Sequence, residues 1–516
     1  MSDPLASADT TSERLSWAER LGIFGPADTR TAMILIVSVV AVYAASFAAF
    51  YPEIATNDDE AMYLRQAQLV LRGASTVTQI QPLTGNEIEH MPSTYGPGTA
   101  YMLAPFIAVL GVRGAFVVPM LCLVLAVLIT ARWIRDAGYS PFFALVTLGF
   151  VPALVMGRVA MSDVPSATLG VLGLWLFWRG QDRHWGWWLA AGFVAAAAII
   201  VRVSTPLLFI PLFAGTVLRR EWKCWALIVG GLAGLGVRVL AMSMYFGNAF
   251  YERSQYHLEL DTIGERLPFY LLGLMVFVPA GLLLSVLYKG KRRPEIVSTV
   301  VLFFCFYLFQ RYSSYGTSFE KRVILALRYL IPMVPLMGFA MAESVPRLLN
   351  TWRNRCSEAG ARRLVAVTSA LTLLYAGGIG VAAAAVHPVF FEWSKTQAEL
   401  RREISGMLPG DRVFVTNWMA TRKFVPVLDQ KFEEVQRETI DADDVETLIE
   451  TWGEIYLVLL RRTDSPFWRN EAEEAEVWLA DLKRKPRLIL EKTVSSTMHL
   501  RIWTLDGDSP HIDGGS

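Results

Sequence analysis

Long apolar runs broken by short polar loops fill the chain from residue 31 to residue 387, and many approach the roughly 20 residues a helix needs to cross a bilayer. The pattern predicts eleven crossings, near 31–51, 114–134, 140–157, 164–179, 185–201, 203–218, 225–245, 268–288, 296–311, 328–346 and 364–386. The apolar run 99–111 is shorter, and the turn signal Tyr95-Gly96-Pro97-Gly98 precedes it. It is expected to be an interfacial or re-entrant helix that closes a long first loop, residues 52–113. Beyond residue 390 the period changes. An amphipathic helix at 396–408, strands at 412–416 and 455–460, helices at 441–451 and 471–484, and a strand pair at 488–493 and 499–504 predict a small α/β domain.

Composition agrees with a polytopic membrane protein: 516 residues, 53% hydrophobic and 12% aromatic, with a mean hydropathy of +0.37. The net charge of +1 leaves no basic face for nucleic acid. Cys122, Cys224, Cys305 and Cys356 have no CxxC spacing, so neither a disulfide framework nor a zinc motif is implied. Lys and Arg do change the picture. They concentrate in five short loops, around Arg132/Arg135, Arg179/Arg183, Arg219/Arg220/Lys223, Lys289–Arg293 and Arg347–Arg363, and basic loops stay cytoplasmic. With all five inside, residues 1–30 form a cytoplasmic segment, 31–389 a transmembrane domain retained in the cytoplasmic membrane, and 390–516 an extracytoplasmic domain.

This sidedness gathers the unusual polar elements on the outer face. They are Asn57-Asp58-Asp59-Glu60, just beyond the first crossing, the Met161-Ser162-Asp163-Val164-Pro165 turn, and the loops 247–268 and 311–328. Carboxylates at the water interface stay ionised beside lipid, a suitable setting for work on lipid-carried substrates. Arg238 is the one charge well inside a crossing, and a lipid phosphate is its natural partner. The glycine-rich run 230–236 lies within an apolar crossing and reads as close helix packing, while Trp185, Trp187 and Trp188 read as an interfacial belt. A transporter or flippase for a lipid-linked or anionic substrate is the alternative. Transport favours mid-span carboxylates, and Glu343, near an inner end, is the one carboxylate that stands within a crossing.

The motif Asp59-Glu60-x-x-Tyr63, followed by Ala67, Leu71 and Gly73 and then by Tyr95-Gly96-Pro97-Gly98 before an apolar helix, resembles the first outer loop of GT-C glycosyltransferases. The likeness is strongest to the protein O-mannosyltransferases and the lipid A aminoarabinose transferases. Arg158-Val159-Ala160-Met161-Ser162-Asp163 resembles the stretch that carries the family's second acidic position, and Leu327-Arg328-Tyr329-Leu330-Ile331-Pro332 the start of a late crossing. Thr94-Tyr95 stands where the aminoarabinose transferases carry Glu-Lys, which argues against lipid A as the acceptor.

The resemblance implies an all-α membrane bundle with a membrane-parallel helix in the first outer loop. It further implies inverting transfer of a sugar from a polyprenyl-phosphate carrier to a glycan, lipid or protein acceptor of the cell envelope. Asp59 matches the family's catalytic base, with Asp58 as local rival and Asp163 as the second acid. Glu60, Tyr63, Tyr95, Arg158 and Tyr329 are the substrate-binding positions that the motifs imply. A departing lipid phosphate gathers negative charge and asks for fixed cations, for which Arg202, Arg328 and Arg238 are the candidates. No metal ligand set is read from the sequence, and a divalent cation is left as an open cofactor.

Overall fold

The first apolar run forms helix α1 (Thr29–Ala49), about 30 Å long at 1.5 Å per residue and so sufficient to cross a bilayer. In the computed structural model of this chain, residues 16–25, 29–55, 58–91, 93–250, 260, 263–310, 325–407, 413–416, 435–436, 439–462, 466–495 and 498–509 are described. The loop segments 251–259 and 311–324, expected on the outer face, lie outside them. Helix α2 (Asp58–Arg72) follows at once, and a hairpin of β1 (Val77–Ile80) and β2 (Glu87–His90) leads to α3 (Gly98–Leu110). At 13 residues, α3 is too short to span, as its sequence implied.

The bundle continues with α4 (Val117–Asp136), α5 (Asp163–Gly180), α6 (Cys224–Phe246), α7 (Arg293–Phe309), α8 (Val334–Arg353) and α9 (Glu358–Met407). All eleven predicted segments carry helix. Among the described residues, five helices are long and apolar enough to cross: Thr29–Ala49, Val112–Asp136, Cys224–Phe246, Leu325–Arg353 and Glu358–Glu392. The others are shorter, broken or, like the 18-residue α5, less apolar. Residues 141–156 open on Pro141 and are divided into a 3-10 turn and two helices of 4 and 6 residues, the second beginning beside Pro152. Broken backbone is tolerated at membrane depth only inside protein, and this stretch is almost wholly buried in the main core.

Charge separates the two ends of the bundle. Helix α5 begins at Asp163 and reaches Arg179 about 24 Å further on. At the Arg179 end, Arg179 pairs with Asp136 at 3.8 Å, Arg292 with Glu221 at 2.6 Å, Arg347 with Glu343 at 2.8 Å and Arg353 with Glu19 at 3.5 Å. Glu343 is thus bound into the basic end and is not a midplane carboxylate.

Helix α9 runs 50 residues without a break, so the expected boundary at 389/390 falls within it, and the amphipathic stretch expected at 396–408 is its continuation as far as Met407. Pro388 inside this helix offers no N–H to the Ala384 carbonyl four residues back. The Ser46 hydroxyl of α1 donates to that carbonyl instead, at 2.7 Å.

The C-terminal sheet has the order β4-β3-β5-β7-β6, from β3 (Val413–Thr416), β4 (Val435–Gln436), β5 (Glu454–Arg462), β6 (Arg487–Ser495) and β7 (Met498–Asp506). Strand β3 pairs in parallel with β4 and β5, and β7 is antiparallel to β5 and β6. Helices α10 (Ala442–Trp452) and α11 (Pro466–Ala480) accompany it, α10 opening on a capping box at Asp441. The four predicted strands are present. Strand β4 and the β1–β2 hairpin were not foreseen, and α11 starts and ends earlier than expected.

Candidate active site

Helix α2 brings the acidic cluster to the end of the bundle opposite the basic loops. Carboxylates suit the first turn of a helix, where the dipole is positive. The helix stops at Gly73, whose φ of 66° lets the Gly73 and Ala74 amides return to the carbonyls of Val70 and Leu69. The side chain of Asp58 lies outside the described residues. Asp59 is partly open, at 31% exposure, and both of its oxygens are engaged. The Tyr95 hydroxyl donates to Oδ1 at 2.6 Å, and Arg328 Nη2 approaches Oδ2 at 3.4 Å.

Asp163, 1% exposed, opens α5 and holds Arg202 by a 2.6 Å contact to Oδ1. Its Oδ2 is buried without a hydrogen-bond partner. The two acid–arginine pairs form one site. Arg328 interacts electrostatically with both Asp59 and Asp163, and the Tyr63 hydroxyl feels Arg202, Asp59 and Asp163 together. Burial pushes the Tyr63 hydroxyl well above its ordinary pKa despite its bond to Ser162 Oγ at 3.2 Å, so it remains protonated. Two stacked tyrosine pairs wall the site, Tyr63 on Tyr95 at 4.9 Å and Tyr307 on Tyr329 at 5.4 Å. The guanidinium carbons of Arg202 and Arg328 both lie 5.0 Å from the Tyr329 ring centre, within cation–π range.

Seven of the sequence-predicted residues therefore meet: Asp59, Tyr63, Asp163, Tyr95, Arg202, Arg328 and Tyr329. Glu60 and Arg158 form a buried layer beside them. Glu60 accepts from the Ala160 amide at 2.6 Å, while Arg158 donates to the His387 carbonyl of α9 at 2.8 Å and is attracted to Glu60. Neither reaches the opening, because both are at most 1% exposed. Arg238, on α6, donates to the Ala249 carbonyl near the end of its own helix.

Tyr307 and Ser204 were not anticipated. Tyr307 accepts from Arg202 Nε at 3.3 Å and is hydrogen-bonded to Ser204, but it lies within the aromatic run Phe303–Phe309, where nothing sets one ring apart. Ser162 stood in the quoted motif without a role, and it ties Tyr63 to Arg202.

The turn that presents Tyr95 is pressed against the backbone next to Arg202. A Cβ at Gly98 would lie 2.6 Å from the Ile200 carbonyl carbon and 2.7 Å from the Val201 nitrogen. Backbone cannot swing aside as a side chain can, so Gly98→Ala is expected to destabilise by about 1–3 kcal/mol and to reduce activity. Thermal unfolding in detergent checks this, and an unchanged Tm would contradict the packing.

Among the described residues no three His, Cys, Asp or Glu side chains come together as a metal site. Of the described carboxylates, Asp59 and Asp163 are each paired with a guanidinium, and that donor set does not suit a divalent cation.

No family model matches the sequence, and no curated protein matches it by sequence. The fold does match solved structures. ArnT from Cupriavidus metallidurans bound to undecaprenyl phosphate aligns with a TM-score of 0.60 at 13% identity, over 93% of this chain and 98% of that one. The same protein in its apo state aligns at 0.61 and 14%, over 92% and 97%. The oligosaccharyltransferase AglB from Archaeoglobus fulgidus, in complex with an inhibitory peptide and a dolichol-phosphate, aligns at 0.50 and 11%, over 83% of this chain and 69% of that one. These neighbours have the GT-C fold, and this chain shares it.

Proposed function

We propose that the protein is an inverting glycosyltransferase that moves a sugar from a polyprenyl-phosphate carrier to a cell-envelope acceptor on the outer face of the cytoplasmic membrane. The observation that carries this reading is Asp59, a partly open carboxylate beside Arg328, whose Nε–H is buried without a hydrogen-bond partner. One group can take a proton; the other can hold an anion. A GT-C neighbour bound to undecaprenyl phosphate and another in complex with dolichol-phosphate support the choice of donor.

In this mechanism Asp59 removes the proton from an acceptor hydroxyl as that oxygen attacks the anomeric carbon. The new C–O bond forms on the face opposite the phosphate, and the bond from carbon to phosphate oxygen breaks with its electron pair leaving on phosphate. Inversion follows from this single displacement. The phosphate carries the developing charge, which Arg328 and Arg202 stabilise from positions fixed beforehand. Their carboxylate partners keep both guanidiniums oriented in the free enzyme. No step is routed through a metal. The assay is transfer from a polyprenyl-phosphate sugar to envelope acceptors in liposomes holding the purified protein, and absence of transfer with every donor sugar tried overturns the reading.

Eleven crossings, an inner N-terminus and an outer C-terminal domain complete the proposal. Impermeant thiol reagents are expected to reach the exposed Cys356 and cysteines introduced at 182 and 291 only from the cytoplasm. They are expected to reach cysteines at 86 and 450 only from outside. Labelling of position 450 from the cytoplasm would reverse the orientation.

A further inference from the structure

We propose that the C-terminal domain braces the active site: by docking the tip of the β1–β2 hairpin it holds Tyr95 on Asp59. The inference rests on the catalytic reading above and gives the domain a task within it.

The hairpin is weak by itself. It has two strands joined by four residue pairs, Val77↔His90 to Ile80↔Glu87, and Glu87, Ile88 and Glu89 are exposed. Isolated two-stranded hairpins are marginal in water, so its order needs an outside support. That support is at its tip. Ile80 and Leu83 pack against the apolar core of the C-terminal domain, and Trp452, the last residue of α10, donates from Nε1 to the Pro82 carbonyl at 2.6 Å. Gly85 sits so close that a Cβ there would lie 3.3 Å from Thr451 Cγ2.

The other end of the same loop carries the chemistry. Beyond β2, Ser93 Oγ accepts from the Tyr95 amide at 3.2 Å, and Gln66 of α2 donates to the Tyr95 carbonyl at 2.7 Å. The Tyr95 hydroxyl then reaches Asp59. The hairpin therefore connects the end of α2, the helix that bears Asp59, to the tyrosine that orients that carboxylate. The domain opposite it follows α9, which is held to the bundle through Ser46 and Arg158. Leu83 and Trp452 touch no substrate in this scheme; they are positioning residues acting through Tyr95.

A double-mutant cycle in the full-length reconstituted protein separates this from simple destabilisation. Leu83→Ser removes the apolar anchor, Trp452→Phe removes the indole N–H and leaves a smaller aromatic ring, and Tyr95→Phe removes the hydroxyl through which both should act. Leu83→Ser is expected to lower kcat about tenfold with donor KM nearly unchanged, since small misplacements at a reacting group are costly. Trp452→Phe is expected to act in the same direction and less. In the Tyr95→Phe background each change should alter kcat by less than about twofold, because coupled positions are not additive. Hydrogen exchange across residues 77–97 should quicken in both variants and requires no activity. Equal factors in the two backgrounds, or an unchanged kcat despite quickened exchange, overturn the brace. If the wild type transfers no sugar at all, the catalytic reading fails instead, and unaltered exchange near Tyr95 would still refute the docking on its own.

Discussion

Asp59→Asn is expected to lower sugar transfer by roughly 10²–10⁴-fold, the usual loss on removal of a general base, while expression and donor binding persist. The geometry separates the loss of a base from a loss of packing. Both Asp59 oxygens face donors, the Tyr95 hydroxyl and the Arg328 guanidinium. An amide can offer its oxygen to Arg328 and its NH2 to the Tyr95 hydroxyl, which accepts as well as donates. The variant keeps its neighbours and loses the proton acceptor alone. Asp58→Asn is expected to be milder, and Asp163→Asn intermediate. Transfer in liposomes checks all three. Full activity in Asp59→Asn beside a dead Asp58→Asn would move the base by one residue, and full activity in both would remove the mechanism.

Arg328→Ala and Arg202→Ala are expected to lose about 2–4 kcal/mol of transition-state stabilisation, the range for one preorganised charged contact to a developing anion. Their effects on folding should differ. Arg328 leaves behind Asp59, which at 31% exposure can be solvated. Arg202 leaves behind Asp163, at 1% exposure, and breaking a buried pair by deleting one partner typically costs about 3–5 kcal/mol. Thus Arg328→Ala should fold nearly as the parent does and turn over slowly, whereas Arg202→Ala should lose stability as well. Thermal unfolding beside turnover distinguishes the two. Parental turnover by a folded Arg328→Ala would show that the phosphate is held elsewhere.

The extent to which this site could be read in advance follows from the kind of signal each part leaves. Asp59, Asp163 and Arg328 are charged residues at the ends of apolar runs, where a charge stands out and basic loops set the side. Arg202 was found in the same way, although its partner came to light only in three dimensions. Tyr307 and Ser204 left no such mark, because an aromatic ring inside an apolar helix, or a serine in the turn between two apolar runs, reads as packing or capping. Arg238 is a conspicuous charge as well, and its Nη1 lies 3.5 Å from the Ala249 carbonyl just beyond its own helix. The C-terminal strands showed as alternation and β-branched runs. Strand β4 is only two residues long, and the polar β1–β2 hairpin has no alternation to betray it. At 389/390 hydropathy falls while the backbone hydrogen bonding of α9 continues, so the change of character shows in the sequence and the continuity of the helix does not.

The contact between Ser46 and the carbonyl freed by Pro388 also bears on how the protein is made. It joins α1 to α9 across 338 residues of chain, reinforced by Tyr43 and Phe47 against the ring of His387 and by Phe50 against Phe391. Until α9 is synthesised, α1 has no partner for this face and must wait in lipid or beside the insertion machinery. Closure of the bundle is therefore a late event of long sequence separation, and contacts of that kind form slowly. Chains that end between residues 330 and 384 would keep Asp59, Asp163, Arg202 and Arg328 yet leave α1 unlatched, which makes them targets of membrane quality control.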